Sequence, residues 1–109
     1  MDTDIIIPIY NAFDFTKKCI ETVIEHTDLT KHTLLLINDK STDQRILPLL
    51  NLFTTEYPSL NITIINNESN QGFVRTVNIG MQHSSRDVVL LNSDTEVTKN
   101  WLPKICLLY

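Results

Sequence analysis

Three apolar runs, residues 5–9, 34–37 and 88–91, each stop abruptly at polar residues: Tyr10-Asn11, Asn38-Asp39 and Asn92-Ser93-Asp94. Runs this short and continuous read as strands buried on both faces of a parallel sheet. They predict strands over residues 4–9, 33–37 and 87–91, with a further strand over 61–66. Between them the period changes to that of a helix. Phe15, Cys19, Ile20, Val23 and Ile24 predict a helix over about 14–26, with Asn11 or Asp14 as its N-cap. Leu49, Leu50, Leu52 and Phe53 give a second helix a buried face; Ser41 and Gln44 have capping-box spacing before it, and Pro48 either kinks it or starts a new segment near Leu47. After the polar loop 67–72, Val74, Val77 and Met81 mark a short third helix with Gly72 at its entrance. A final helix covers about 100–108.

Strands alternating with helices, without repeats or low-complexity tracts, predict a layered α/β fold. Right-handed crossovers then give a three-layer, Rossmann-like arrangement around a mainly parallel sheet of about four strands. In such sheets ligands lie beyond the carboxyl ends of the strands, so the three polar strand ends mark one candidate site.

Composition narrows the function. The chain has 109 residues, enough for one modest domain, with 42% hydrophobic residues and a formal charge of −4. Its Lys and Arg are scattered, which argues against a nucleic-acid partner. Cys19 and Cys106 lack metal-ligand spacing and are expected to be buried free thiols, which favours a cytoplasmic setting. No apolar run reaches the roughly 20 residues that span a bilayer. His26, His32 and His83 are expected at the surface. The apolar stretch from Trp101 to Tyr109 stops without a glycine or asparagine C-cap, so the chain is expected to be the first part of a longer protein.

Four motifs recur in order: Pro8-Ile9-Tyr10-Asn11, Asn38-Asp39-Lys40-Ser41-Thr42-Asp43, Asn70-Gln71-Gly72-Phe73 with Asn78-Ile79-Gly80, and Leu90-Leu91-Asn92-Ser93-Asp94. In this order and spacing the chain resembles the family 2 glycosyltransferases of the GT-A fold, over the nucleotide-binding first half of such a domain. The resemblance makes residues 1–109 a single partial domain, truncated before the acceptor half. It implies a metal-dependent, inverting enzyme that moves a sugar from a UDP or dTDP donor to a saccharide or lipid-linked acceptor in polysaccharide or glycoconjugate synthesis. It assigns nucleotide binding to Pro8, Tyr10, Asn11, Asp39, Asn70, Gly72, Arg75, Asn92 and Ser93, and places Asp94 on Mn²⁺ or Mg²⁺.

Asp39 can accept a hydrogen bond from the imide N–H of uracil or thymine, the role the resemblance assigns it; the competing reading has Asp39 and Asp43 cap a helix, and for Asp43 the two readings stand level. Asn38 and Lys40 depart from the acid and glycine common in the family. With Asn92 in place of the first acid of the family's Asp-x-Asp, Asp94 is left as a single carboxylate, so metal binding should depend on oxygens from the nucleotide. No carboxylate here matches the family's general base, which is expected beyond residue 109. The truncation leaves the last helix and an edge strand exposed, with self-association through that surface as an expected consequence. The full-length protein is expected in the cytoplasm, peripheral at the inner membrane face. A flavodoxin-like regulatory or interaction domain is the competing class; it would want paired acids after the first strand, where Tyr10-Asn11 stand. A nucleotidyltransferase would want a glycine-rich, basic loop there.

Overall fold

The computed structural model of the chain describes residues 2–108, with side chains through Lys104. Its elements run β1 (Thr3–Ile9), α1 (Phe13–His26), β2 (Thr33–Asn38), α2 (Ile46–Glu56), β3 (Ile62–Asn66), α3 (Phe73–Gln82), β4 (Asp87–Leu90) and α4 (Trp101–Leu108). The four strands form one parallel sheet in the order β3-β2-β1-β4. All seven residues of β1 and five of the six in β2 are buried, as central strands with covered faces require, whereas β3 and β4 are half-buried edges.

Side chains alternate across β1. Ile5, Ile7 and Ile9 join Leu34 and Leu36 in the larger core under α1 and α2, and Ile6, Leu35 and Ile37 form a smaller core on the opposite face. Helix α3 covers that second face, so the sheet is the middle of three layers. Its buried residues are Thr76, Val77 and Gly80, while Val74 and Met81, expected to mark its buried face, are exposed. The reason is Gly80. Its missing side chain lets α3 approach so closely that a Cβ there would lie 2.6 Å from Ile37 Cδ1 and 2.9 Å from Ile6 Cγ2, which rotates Val74 and Met81 outward.

Helix starts differ from the sequence expectation. The N-cap of α1 is Ala12, in a left-handed conformation with no side-chain cap, rather than Asn11 or Asp14. The Ser41/Gln44 capping box does not form, because Ser41 is drawn to the β1–α1 loop and α2 begins only at Ile46. Pro48 therefore sits in the first turn of α2, where its missing N–H has no intrahelical partner to lose. Exposure of the last helix was expected, yet Trp101 and Leu102 are buried in the main core, and the Trp101 indole N–H donates to Thr27 Oγ1 at 2.8 Å.

Cys19 is a buried free thiol; the side chain of Cys106 lies outside the described residues. His32 is not simply a surface residue, since its Nδ1 accepts the Thr3 N–H at 3.1 Å. At the amino edge of the sheet the Arg86 guanidinium donates to the buried Asp4 carboxylate and to Thr33 Oγ1, neutralising the charge that β1 carries inward.

The packing of α3 gives a direct check. Gly80→Val places two methyl groups where Ile6 and Ile37 already sit, and should destabilise the fold by about 1–3 kcal/mol, read as a lower urea midpoint at unchanged m-value.

Candidate functional site

The carboxyl ends of β1 and β2 and the entrance to α3 enclose a cleft of about 410 Å³ lined by Pro8, Ile9, Tyr10, Asp39, Asn70, Gly72, Phe73 and Thr76. Its place follows from topology. The chain winds from β1 to β2 to β3 in one direction, then returns through α3 across the opposite face to place β4 on the other side of β1. The loops beyond the strand ends part around that reversal.

Pro8 is tolerated inside a central strand for a reason that also shapes the cleft. Along β1 the odd residues face β2, as the Asp39 N–H donation to the Ile9 carbonyl shows, and the even residues face β4, as the Leu91 N–H donation to the Ile6 carbonyl shows. Pro8 thus points its missing donor toward β4, whose pairing with β1 has ended at Ile6 and Leu90. No ladder bond is lost there. Tyr10 follows, with its ring about half exposed on the cleft wall.

Asp39 follows the last residue of β2, and its side chain is buried in the cleft floor. Oδ1 accepts the Asn67 side-chain amide at 2.8 Å and the Gln71 N–H at 2.7 Å, and Oδ2 accepts the Gly72 N–H at 3.0 Å. Asn70 donates to the Asp39 carbonyl at 3.3 Å. The helix that Asp39 caps is therefore α3, more than thirty residues on, and not the adjacent α2; Asp43 serves α2 through the Arg45 N–H at 3.0 Å. Burial by itself would raise the Asp39 pKa, but the donors at Gln71, Asn67, Gly72 and Thr76 outweigh it and hold the carboxyl below the usual carboxylate range. The cleft floor carries a full negative charge at neutral pH. Gly72 turns the chain into α3 at φ 85°, a conformation that disfavours a side chain.

The other candidates sit around the cleft. Arg75 is exposed on α3 and Lys40, at φ 55°, lines a neighbouring polar pocket of about 530 Å³ with Asn38, Ser41 and Asn67. Asn11 lies beside the cleft, with its side chain bonded to the β2–α2 loop. Asn92, Ser93 and Asp94 form a turn at the same carboxyl edge, closed by the Thr95 N–H to the Asn92 carbonyl at 3.0 Å, with Asn92 and Asp94 exposed. Helix α1 holds this segment: Cys19 Sγ donates to the Asn92 carbonyl at 3.6 Å and the Val97 N–H donates to Thr22 Oγ1 at 3.1 Å. Burial, with Asp94 nearby as a smaller cause, raises the Cys19 thiol to about 11, so it stays protonated.

Among the described residues no three His, Cys, Asp or Glu side chains gather as a metal-holding group. Asp94 offers one hard oxygen donor, which fits a divalent cation only alongside oxygens that a ligand brings. Thr76 and Asn67 are site residues that motif reading missed. Thr76 is fully buried between Val74 and Val77 in sequence and gives no polar signal of its own; Asn67 sat in a stretch read as plain loop.

A model of the family described as glycosyl transferase family 2 matches residues 4–108. The chain is 29% identical over 96 residues to the uncharacterized glycosyltransferase YwdF of Bacillus subtilis (strain 168), covering 88% of this chain and 33% of that protein. In fold it is similar to the mannosyltransferase PcManGT of Pyrobaculum calidifontis, solved with GDP-Man and Mn²⁺, at a TM-score of 0.77 and 19% identity over 84% of this chain and 27% of that one. It is also similar to S. aureus TarS 1–349 in complex with UDP-GlcNAc, at a TM-score of 0.79 and 20% identity over 98% of this chain and 30% of that one. The chain thus spans about a third of the length of the curated relative it matches.

The Asp39 clamp predicts an acid transition. Because its folded pKa lies below the unfolded value of about 3.9, its contribution is present above pH 4 and is lost as pH falls through the folded value. Asp39→Asn should lower stability at pH 7 by about 1–3 kcal/mol, since an amide N–H₂ then faces backbone donors. The variant should also flatten the fall of the urea midpoint below pH 4.

Proposed function

The chain belongs to glycosyl transferase family 2, and from that membership we propose that its cleft receives the nucleoside diphosphate end of a UDP- or dTDP-sugar donor. The observation that carries this is the hydrogen-bond state of Asp39. Oδ1 accepts two hydrogen bonds from the chain and Oδ2 accepts one backbone N–H, with the Thr76 hydroxyl as a further donor to the carboxyl, so Oδ2 is the less engaged oxygen facing a ligand in the cleft. That matches the lone imide N–H of uracil or thymine better than guanine, whose adjacent N1–H and N2–H₂ call for both oxygens. The half-exposed Tyr10 ring offers an apolar face for the base.

With the base at Asp39, the diphosphate would extend along the carboxyl edge toward the turn of Asn92, Ser93 and Asp94. Asp94 would hold Mn²⁺ or Mg²⁺ together with the diphosphate oxygens, and a bound cation supplies neutralisation of the leaving nucleoside diphosphate. The acidic chain makes that neutralisation necessary. Inversion at the anomeric carbon by an acceptor hydroxyl needs a general base; we assign that group to residues outside these 109, together with the saccharide or lipid-linked acceptor site. The regulatory-domain alternative has no comparable support, because the family match covers nearly the whole chain.

Calorimetric titration with UDP, dTDP and GDP, with and without Mn²⁺, tests the reading. UDP or dTDP should bind at least tenfold more tightly than GDP, with Mn²⁺ strengthening the interaction. Asp39→Ala should remove the base preference and weaken binding by about tenfold or more, a charge-assisted hydrogen bond being worth roughly 1.5–3 kcal/mol. Asp94→Ala should remove the Mn²⁺ increment and leave metal-free binding unchanged. Equal affinity for GDP, or no binding by a folded chain, overturns the proposal.

A further inference from the structure

Resting on that donor-site reading, we infer that Asn11 is a positioning residue: it latches the β1–α1 loop to the β2–α2 loop and so sets the Tyr10 ring against the Asp39 carboxylate. The family motif places Asn11 among the nucleotide contacts, but the geometry commits it elsewhere. Its backbone N–H donates to Ser41 Oγ at 2.9 Å, its side-chain amide donates to Thr42 Oγ1 at 2.9 Å, and its Oδ1 accepts the Asp43 N–H at 2.9 Å. Its carbonyl accepts the Thr16 hydroxyl at 3.2 Å. The backbone N–H and carbonyl and both ends of the side chain are thus engaged within the protein.

The far side of the latch is fixed as well. The Ser41 N–H donates to Asn38 Oδ1 at 3.1 Å, and the buried Asn38 donates in turn to Asn66 Oδ1 at 3.2 Å. Tyr10 immediately precedes Asn11, and Asp39 stands two residues before Ser41. The latch therefore ties the chain within two residues of each of the two groups of the cleft.

Backbone conformation gives a second, independent sign. Asn11 and Ala12 lie consecutively in the left-handed region, at φ 56° and 53°. Asparagine adopts this region with some ease, alanine does not, and such pairs persist where surrounding bonds over-determine them. The latch bonds supply that determination. A ring held in place before the ligand arrives loses little freedom on binding, which is how preorganisation raises affinity.

The test is a double-mutant cycle read by UDP titration. Asn11→Ala should weaken UDP binding about tenfold when Tyr10 is present and less than twofold in a Tyr10→Ala background, because Asn11 acts through that ring. Thr42→Val, at an exposed position, should weaken binding two- to threefold with its urea midpoint unchanged. Equal losses in both backgrounds, or no loss, overturn the proposal. A readout without ligand separates the latch from the donor reading: in the chain carrying fluorotyrosine, the Tyr10 resonance, assigned through Tyr10→Phe, should sharpen and shift toward the free amino acid in Asn11→Ala. If the wild-type chain binds no UDP the donor reading fails, and an unchanged Tyr10 resonance then overturns the latch on its own terms.

Discussion

A buried carboxylate has to be surrounded by donors, and the way Asp39 meets that requirement organises this end of the molecule. Its charge stands just beyond the end of β2 and is met by neutral donors: the 67–72 loop folds back to supply backbone N–H groups from Gln71 and Gly72 and an amide from Asn67. Uncompensated burial of such a charge costs several kcal/mol. The same bonds that relieve that cost fix where α3 begins, and α3 closes the second face of the sheet. The cleft, which Asp39 lines, is what remains between these commitments.

On the proposed donor reading, specificity and stability draw on one group. A carboxylate so largely engaged by the chain's own donors would be a selective acceptor, because the base must present its N–H to the less engaged oxygen. On the same reading, the acidic surroundings would disfavour a bare diphosphate, and Asp94, exposed across the carboxyl edge, would act only in company with a cation. Helix α1 links the two halves of this arrangement. Its first residues follow the latched Asn11, and Cys19 and Thr22 on its buried face hold the segment from Asn92 to Val97. The alignment of the Asp39 cleft with the Asn92–Asp94 turn therefore depends on how α1 packs.

The sequence announces the sheet because central strands must be apolar on both faces: the unbroken runs at Ile5–Ile9 and Leu34–Ile37 could lie nowhere but in the middle, and their polar ends mark the ligand edge. Helix boundaries were less legible. Ser41 and Gln44 have the spacing of a capping box, but spacing does not reveal that Ser41 would be claimed by Asn11, thirty residues earlier. Val74 and Met81 have the period of a buried face, yet the close approach at Gly80 turns them outward, a tertiary effect that hydrophobic periodicity does not carry. Asp39 was visible as a candidate, and its partners were not, because Gln71 and Gly72 bind it through backbone groups that any residue possesses.

The most direct test of the account is proton NMR of UDP bound to the chain, observing the uracil imide proton in the presence of Mg²⁺, which unlike Mn²⁺ does not broaden the signal. If Asp39 reads the base through Oδ2, that proton should be shielded from solvent exchange, shifted downfield, and show cross-relaxation to the Gly72 amide while the Gln71 and Gly72 amides remain protected. An imide proton that exchanges with water at its free rate in the bound nucleotide, or a bound base whose nearest amides lie outside the cleft of Tyr10, Asp39 and Gly72, would contradict it.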